Sequence, residues 1–473
     1  MKKLPILFLL MLPSFLQAQE VTVSEPVSVR EDYAYYIIGD EQGHVLLVRD
    51  KRSRFEVQGY DARMRLHWEK EVELDKKNPE IVSIANLNGK FCVLYHGRQR
   101  NQPVLKAARY STAANLLDST TIKVFSPTFY TPNFRVAFSE NEQIALLWYI
   151  ENQRDITALA FDMQSMKLLW ENTFSPERIS LLQDEWHMLV SNEGDMFFIL
   201  LKENASSRQR EHFIEIFDFG PSTNQLLRRY AIPLGKYLTY DVHFSYDNLN
   251  RELKAAGLFA DENFARADGF YYLSVAPANP DALQLYFHRF EQDFIAVLTE
   301  KEKVKNKGLA DVSVQDVIHR RDGGIILVGE MNKEVQRGMS ATNYYNRSSF
   351  RPIIDYYYDD VFLIALHPDG SVHWKNILHK KQYSQDDEAA YSSYLLAKTP
   401  SAIRLIFNDE IKQGTMVSEY VVQANGDYDR HAVMSTERKE LGLRFRSGVQ
   451  ISATELIIPS ERRSKLKLVR VKY

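Results

Sequence analysis

The chain has 473 residues, 45% apolar and 26% charged, with a formal net charge of −3. That balance supports a large folded core and carries no basic footprint for nucleic acid. Cys92 is the single cysteine, which excludes an intramolecular disulfide framework.

The first element is MKKLPILFLLMLPSFLQAQE. Lys2 and Lys3 give a basic start, residues 4–12 an apolar run, and Ala18 a small residue for cleavage, so residues 1–18 read as a secretory signal peptide. The run is shorter than the roughly 20 residues that span a bilayer. Cleavage leaves 57 basic against 62 acidic residues and no Cys at the new start, so no lipid anchor is expected. The mature chain, 19–473, is expected to be a single extracytoplasmic domain, periplasmic or secreted to the cell surface, with no transmembrane segment.

Short apolar runs then recur between turn residues. The 26 Tyr and 26 Phe, with frequent Val, Ile and Thr, favour strands. The first unit, residues 33–74, reads YAYYIIG, HVLLVRD, RFEVQGYD and LHWEKEVEL. The second, 81–125, repeats four runs, with a basic turn GRQRNQP in the middle; the third covers 134–174 and the fourth 179–232, with a polar loop at 204–210. The fifth is the least regular and ends in the charge run TEKEKVKNKG, expected as a solvated loop or short helix. The sixth opens with DVIHRRDGGIILVGE, whose Asp322-Gly323-Gly324 is a hairpin turn, and then carries a polar insertion at 332–355. The seventh spans 391–434, and the last holds only three clear strands, RSGVQIS, ELIIPSE and KLKLVRVKY.

Three of these units share one grammar. Trp68, Trp170 and Trp374 each follow a strand end, a polar turn and an apolar residue, and each precedes Glu or Lys. Their spacings are 102 and 204 residues, as if a unit of about 51 recurred twice and then four times. Four-stranded units at this period define an all-β β-propeller. Eight blades are expected, or seven if the irregular fifth unit merges with a neighbour. The missing strand of the last blade is expected from VTVSEPVSVR at 21–30, pairing with 465–473 and closing the ring. Such a ring is expected to be monomeric.

The Trp turn resembles the repeat of quinoprotein-like and WD40-like propellers, A-x-D-x-x-T-G-x-x-x-W, through Ala160, Asp162, Ser165 and Trp170, with Met166 in place of Gly. In that family the Trp packs between adjacent blades. The redox members also need a calcium-binding carboxylate set and, in many, a vicinal disulfide; one Cys excludes the latter. The resemblance therefore implies the fold and no cofactor. Residues 321–409 also resemble secreted propeller proteins of Gram-negative bacteria through RRDGGIILVGE, DYYYDDVFLIALHPDGSVHW and IFND.

Chemistry is sparse. No H-E-x-x-H, G-x-S-x-G or P-loop occurs, so no catalytic or metal residue is assigned. Asp369-Gly370-Ser371 only partly matches an Asp-box turn. Cys92 reads as a buried strand residue and His67 and His373 as surface or inter-blade residues. Asp355, Asp359, Asp360 and Asp386, Asp387, Glu388 lack the spacing of a calcium loop. The insertion is different: SATNYYNRSSFRPIIDYYYDD concentrates Tyr and Arg, the residue types of binding hot spots. Tyr344, Tyr345, Arg347, Arg351 and Tyr356 are the candidate contacts, with packing of the next strand as the competing reading for residues 356–358. The expected function is an exported, non-catalytic binding or scaffold propeller recognising a protein or glycan. The alternative is a propeller hydrolase or lyase acting on glycans or peptides, which needs paired carboxylates in the central funnel.

Overall fold

The computed structural model describes residues 19–473 apart from 41, 53, 75–78, 128–130, 178–180, 182–183, 203–210, 302–307, 338–351, 412–415 and 438–439. Residues 1–18, expected to be a signal peptide, and the loop at 204–210 lie outside the described residues. Among them, no helix is long and apolar enough to cross a membrane.

Eight antiparallel sheets form eight blades of a β-propeller. In chain order they cover residues 34–72, 80–124, 135–174, 185–235, 238–289, 312–378, 394–435 and 449–472. The irregular fifth unit is a complete blade, which removes the seven-blade alternative. In each blade the first strand is innermost. The middle strands are covered on both faces: Val45–Asp50 and Phe55–Tyr60 are buried at every position, the polar Arg49, Asp50, Glu56 and Gln58 included. Each gap between neighbouring blades holds its own hydrophobic cluster. Ile318, Val328 and Leu363 of blade 6 meet Leu405 and Phe407 of blade 7, and Val45 and Leu47 of blade 1 meet Ile457 and Leu468 of blade 8.

The ring closes as the terminal segments predict. Glu20–Val23 pairs antiparallel with Lys465–Lys472, in register Val21↔Val471 and Val23↔Val469, as the outer strand of blade 8. Val27 and Ser28 continue along the same strand. The Ser24 hydroxyl accepts from Leu468 N at 2.8 Å, while Ser24 N donates to Leu468 O at 2.9 Å. Arg49 of blade 1 then fixes the connecting segment, donating to Asp32 at 2.7 Å and to the Ser28 carbonyl.

The three Trp sit at equivalent places on fourth strands, opposite Gly59, Ala160 and Ala365 of the third strands, each beside a register shift. The local cause is a turn with a left-handed residue four positions before each Trp: Met64 (φ 57), Met166 (φ 57) and Gly370 (φ 75). That conformation generates the bulge that turns the Trp toward the next blade. In blade 3 Asp162 builds the turn, accepting from Gln164 N at 2.8 Å and Ser165 N at 3.0 Å. Burial is unequal, however. Trp170 is 5% exposed and donates to Gly194 O of blade 4 at 2.8 Å. Trp68 and Trp374 are half-buried; Trp374 lies over Gly426 of blade 7 and donates to Ala424 O at 3.1 Å.

One spacing differs from expectation. Trp170 and Trp374 stand three blades apart, not four, because blades 5 and 6 carry additional chain. Part of it is helix α1, Gln292–Leu298, whose Phe294, Ile295 and Leu298 are buried in the gap between these blades; the charge run follows it, and its residues 302–307 lie outside the described residues. The rest extends the hairpin of blade 6. Its second and third strands run Ile325–Arg337 and Ile353–Leu366, so residues 332–337 and 353–355 are strand, not loop. Likewise the basic turn of blade 2 shrinks to Arg100 and Asn101, both at positive φ, between strands Lys90–Gln99 and Gln102–Ser111.

Two outcomes follow. Trp170→Ala should lower unfolding free energy by about 3–5 kcal/mol, whereas Trp68→Ala and Trp374→Ala should lower it by roughly 1–3 kcal/mol; denaturant titration measures the ranking, and equal losses would contradict it. Deleting residues 19–29 uncovers the edge of Lys465–Lys472 and should produce oligomers in size-exclusion chromatography. A monomeric truncation with an unchanged melting temperature would show that closure does not depend on this strand.

Candidate binding face

Beyond the blade proper, the extended hairpin of blade 6 gains a third strand. Gln382–Gln385 pairs with residues 355–358, in register Tyr357↔Tyr383 and Asp355↔Gln385. The three strands form a small platform on the face of the ring that carries the connections between blades. A bulge at Met331, between Glu330 and Asn332, marks its joint with the blade and re-aims the strand. Beneath the joint lies a buried ion pair, Lys380 Nζ to Glu330 Oε1 at 2.7 Å. Around it, Lys380 also donates to Tyr358 O at 2.9 Å and to Gln382 Oε1 at 3.2 Å, and Ser393 Oγ donates to Glu330 Oε2 at 2.8 Å. A buried pair satisfied in this way fixes geometry, whereas breaking it would leave an uncompensated charge.

Strand alternation divides the tyrosines of DYYYDD. Tyr356 and Tyr358 are 6% and 7% exposed and pack with Ala389 behind the platform. Tyr357 points the other way and is 37% exposed. Across the strands it meets Tyr383, 41% exposed, with ring centroids 5.2 Å apart, and on its other side Lys333. Asp355 anchors this face. It accepts from Arg337 at 2.7 Å and from the Tyr383 hydroxyl at 2.8 Å. The Arg337 hydrogen bond holds the Asp355 carboxyl below its ordinary pKa, and the bond to Asp355 pushes the Tyr383 phenol up. At neutral pH the pair is therefore a carboxylate and a neutral donor.

Of the sequence candidates, Tyr344, Tyr345, Arg347 and Arg351 lie outside the described residues, in the stretch joining the two long strands. Tyr356 is described and buried. Tyr383 escaped sequence reading, since QYSQ carries no apolar run. The acidic clusters divide among local roles. Asp360 accepts from His379 Nδ1 at 3.0 Å and Lys380 N at 3.1 Å; Asp386 accepts from Ile354 N at 2.9 Å; Asp387 accepts from Ser384 Oγ at 2.8 Å. Among the described residues no group of three or more His, Cys, Asp or Glu is placed to hold a metal ion. Cys92 is buried, and burial pushes its thiol up to about 12, far from a reactive thiolate. His67 and His373 are exposed; His373 Nδ1 lies 3.2 Å from Arg320.

The channel wall is the other polar concentration. His187, His243 and His319 occupy the first strands of blades 4, 5 and 6. Burial holds His243 below the ordinary imidazole value, against the opposing pull of Asp316, and burial also lowers His319. Glu185 lies 3.4 Å from His187, Ser245 Oγ 2.7 Å from His319 Nε2, and Lys398 of blade 7 3.3 Å from Asp316. Asp241 is spent on backbone, accepting from Val314 N of blade 6 at 2.7 Å.

No protein-family model matches the chain, and no curated protein matches it in sequence. It is similar in structure to BamB from Moraxella catarrhalis, at 10% identity and TM-score 0.39, covering 96% of this chain and 100% of that one. It is similar to Sqt1 of Saccharomyces cerevisiae at 8% identity and TM-score 0.42, covering 95% and 98%. Dipeptidyl peptidase 4 of Porphyromonas gingivalis matches at 9% identity and TM-score 0.46, over 92% of this chain and 56% of that one. These likenesses give no residue of the platform or the channel a role.

Proposed function

We propose that the chain is an exported β-propeller that binds a protein or glycan partner through the platform on blade 6. The observation that carries this reading is the Tyr357–Tyr383 pair: two large aromatic faces held in the open by strand pairing and by Asp355. Nothing in the packing of the blade calls for them there, and exposed aromatics on a rigid support are what a binding hot spot requires. Tyr344, Tyr345, Arg347 and Arg351, on the segment that joins the same two strands, extend the contact. Export rests on the amino-terminal run, and the ring acts as a monomer.

A second reading, a hydrolase or lyase acting on glycans or peptides, draws on the histidines and carboxylates of blades 4–7 at the channel. Its signature is turnover of a polysaccharide or peptide library that His243→Gln abolishes; absence of turnover across both libraries removes it.

For the binding reading, the mature chain is screened by biolayer interferometry against immobilised glycans and envelope proteins. Tyr357→Ala/Tyr383→Ala should weaken any saturable interaction at least about tenfold, a loss of roughly 1.4 kcal/mol or more, with an unchanged melting temperature. Wild-type affinity in the double variant would place the binding surface elsewhere on the ring.

A further inference from the structure

A cleft of about 530 Å³ lies between the exposed face of the platform and the chain that follows α1. Lys333, Tyr357 and Asp359 form the platform wall; Arg266, Lys301 and Asp311 form the other. Its size suits a small ligand. Asp311 holds the two walls together. It sits in the left-handed region at φ 56, its carbonyl accepts from Asn332 N at 2.8 Å just past the bulge, and its carboxylate pairs with Lys333 at 3.3 Å. The strained conformation persists because both ends of it are tied.

Three features of the cleft are left over after this internal pairing. Arg266, half-buried, and Lys301, exposed, make no ion pair with any other described residue. Asp359, half-buried, lines the cleft, and no ion pair or side-chain hydrogen bond commits its carboxylate to another described residue. Tyr357 offers an open ring face. A simple anion would answer only the cations. A ring with an apolar face, hydroxyl donors and one anionic substituent answers all three.

We propose that this cleft binds a saccharide carrying a carboxylate or sulfate group. The sugar ring lies against Tyr357, its anionic group meets Arg266 and Lys301, and a hydroxyl donates to the Asp359 carboxylate. This rests on the platform being the binding face and names the ligand class for it. Aromatic support at the cleft favours a saccharide over a phosphoserine or phosphothreonine peptide, whose anionic group brings no apolar ring of its own.

Isothermal titration calorimetry of the mature chain at low ionic strength tests it with four probes: a uronate oligosaccharide, a sulfated chondroitin oligosaccharide, a neutral cello-oligosaccharide and inorganic sulfate. At least one acidic oligosaccharide should bind saturably, and the neutral one at least tenfold more weakly; the two acidic arms separate carboxylate from sulfate recognition. Arg266→Ala/Lys301→Ala should weaken the acidic ligand at least tenfold without moving the melting temperature. Binding of inorganic sulfate alone, of neither acidic oligosaccharide, or binding indifferent to that double variant overturns the proposal. If a neutral glycan or a protein binds, and is lost in Tyr357→Ala/Tyr383→Ala but not in Arg266→Ala/Lys301→Ala, the ligand class is wrong while the platform remains the binding face.

Discussion

Ring closure is the constraint on which the rest depends. Every blade buries both faces against its neighbours, so an incomplete blade would leave two gaps open at once. The chain solves this by giving blade 8 its outer strand from the other terminus: Val21 and Val23 pair with Val471 and Val469, and Ser24 locks the register through both its backbone and its hydroxyl. Arg470 then reaches from blade 8 into blade 1, donating to Gly43 O at 3.2 Å and pairing with Glu455. The free edge that remains on each blade is its outer strand, and those strands are dotted with charge: Glu69, Lys70 and Glu71 are all exposed, which blunts edge-to-edge pairing.

Because the inter-blade clusters supply stability, the faces of the ring are released from it. The fourth-strand Trp illustrates how local backbone serves that packing. A left-handed residue makes the bulge, and the bulge turns the indole across the gap. Met64 and Met166 adopt the left-handed conformation against their preference, which makes sense only because both side chains are buried where they stand. Gly370 meets the same demand without strain and, lacking a side chain, adds nothing to the core.

The blade count and closure were legible because they depend on strand period and turn chemistry, which are local. The span between Trp170 and Trp374 misled because inserted chain lengthens a blade without adding one; α1 and the long hairpin absorb the difference. The platform was harder to read. Asn332, Lys333, Glu334, Gln336 and Arg337 look like loop because the strand they form is solvated on much of its surface. Within residues 356–358, alternation dictates that the middle tyrosine opposes its neighbours. Which side faces solvent depends on the strand at 382–385 and on Ala389, and neither announces itself in sequence. Channel-wall histidines were equally silent, since they come from three blades with no common spacing.

What distinguishes the platform from an ordinary surface loop is where its aromatics are mounted. Tyr357 and Tyr383 sit on paired strands, and their orientation is set by backbone register, by the Asp355 carboxylate and, below, by the satisfied Lys380–Glu330 pair. Side chains already ordered in the free protein lose little further freedom when a ligand arrives. The same argument applies across the cleft, where Lys333 is held by Asp311 and Asp359 is held on the strand that carries Tyr357. Arg266 and Lys301 form no ion pair with another described residue. On the proposed reading, the rigid aromatic wall would meet the ring of a ligand and the cations opposite would meet its charge.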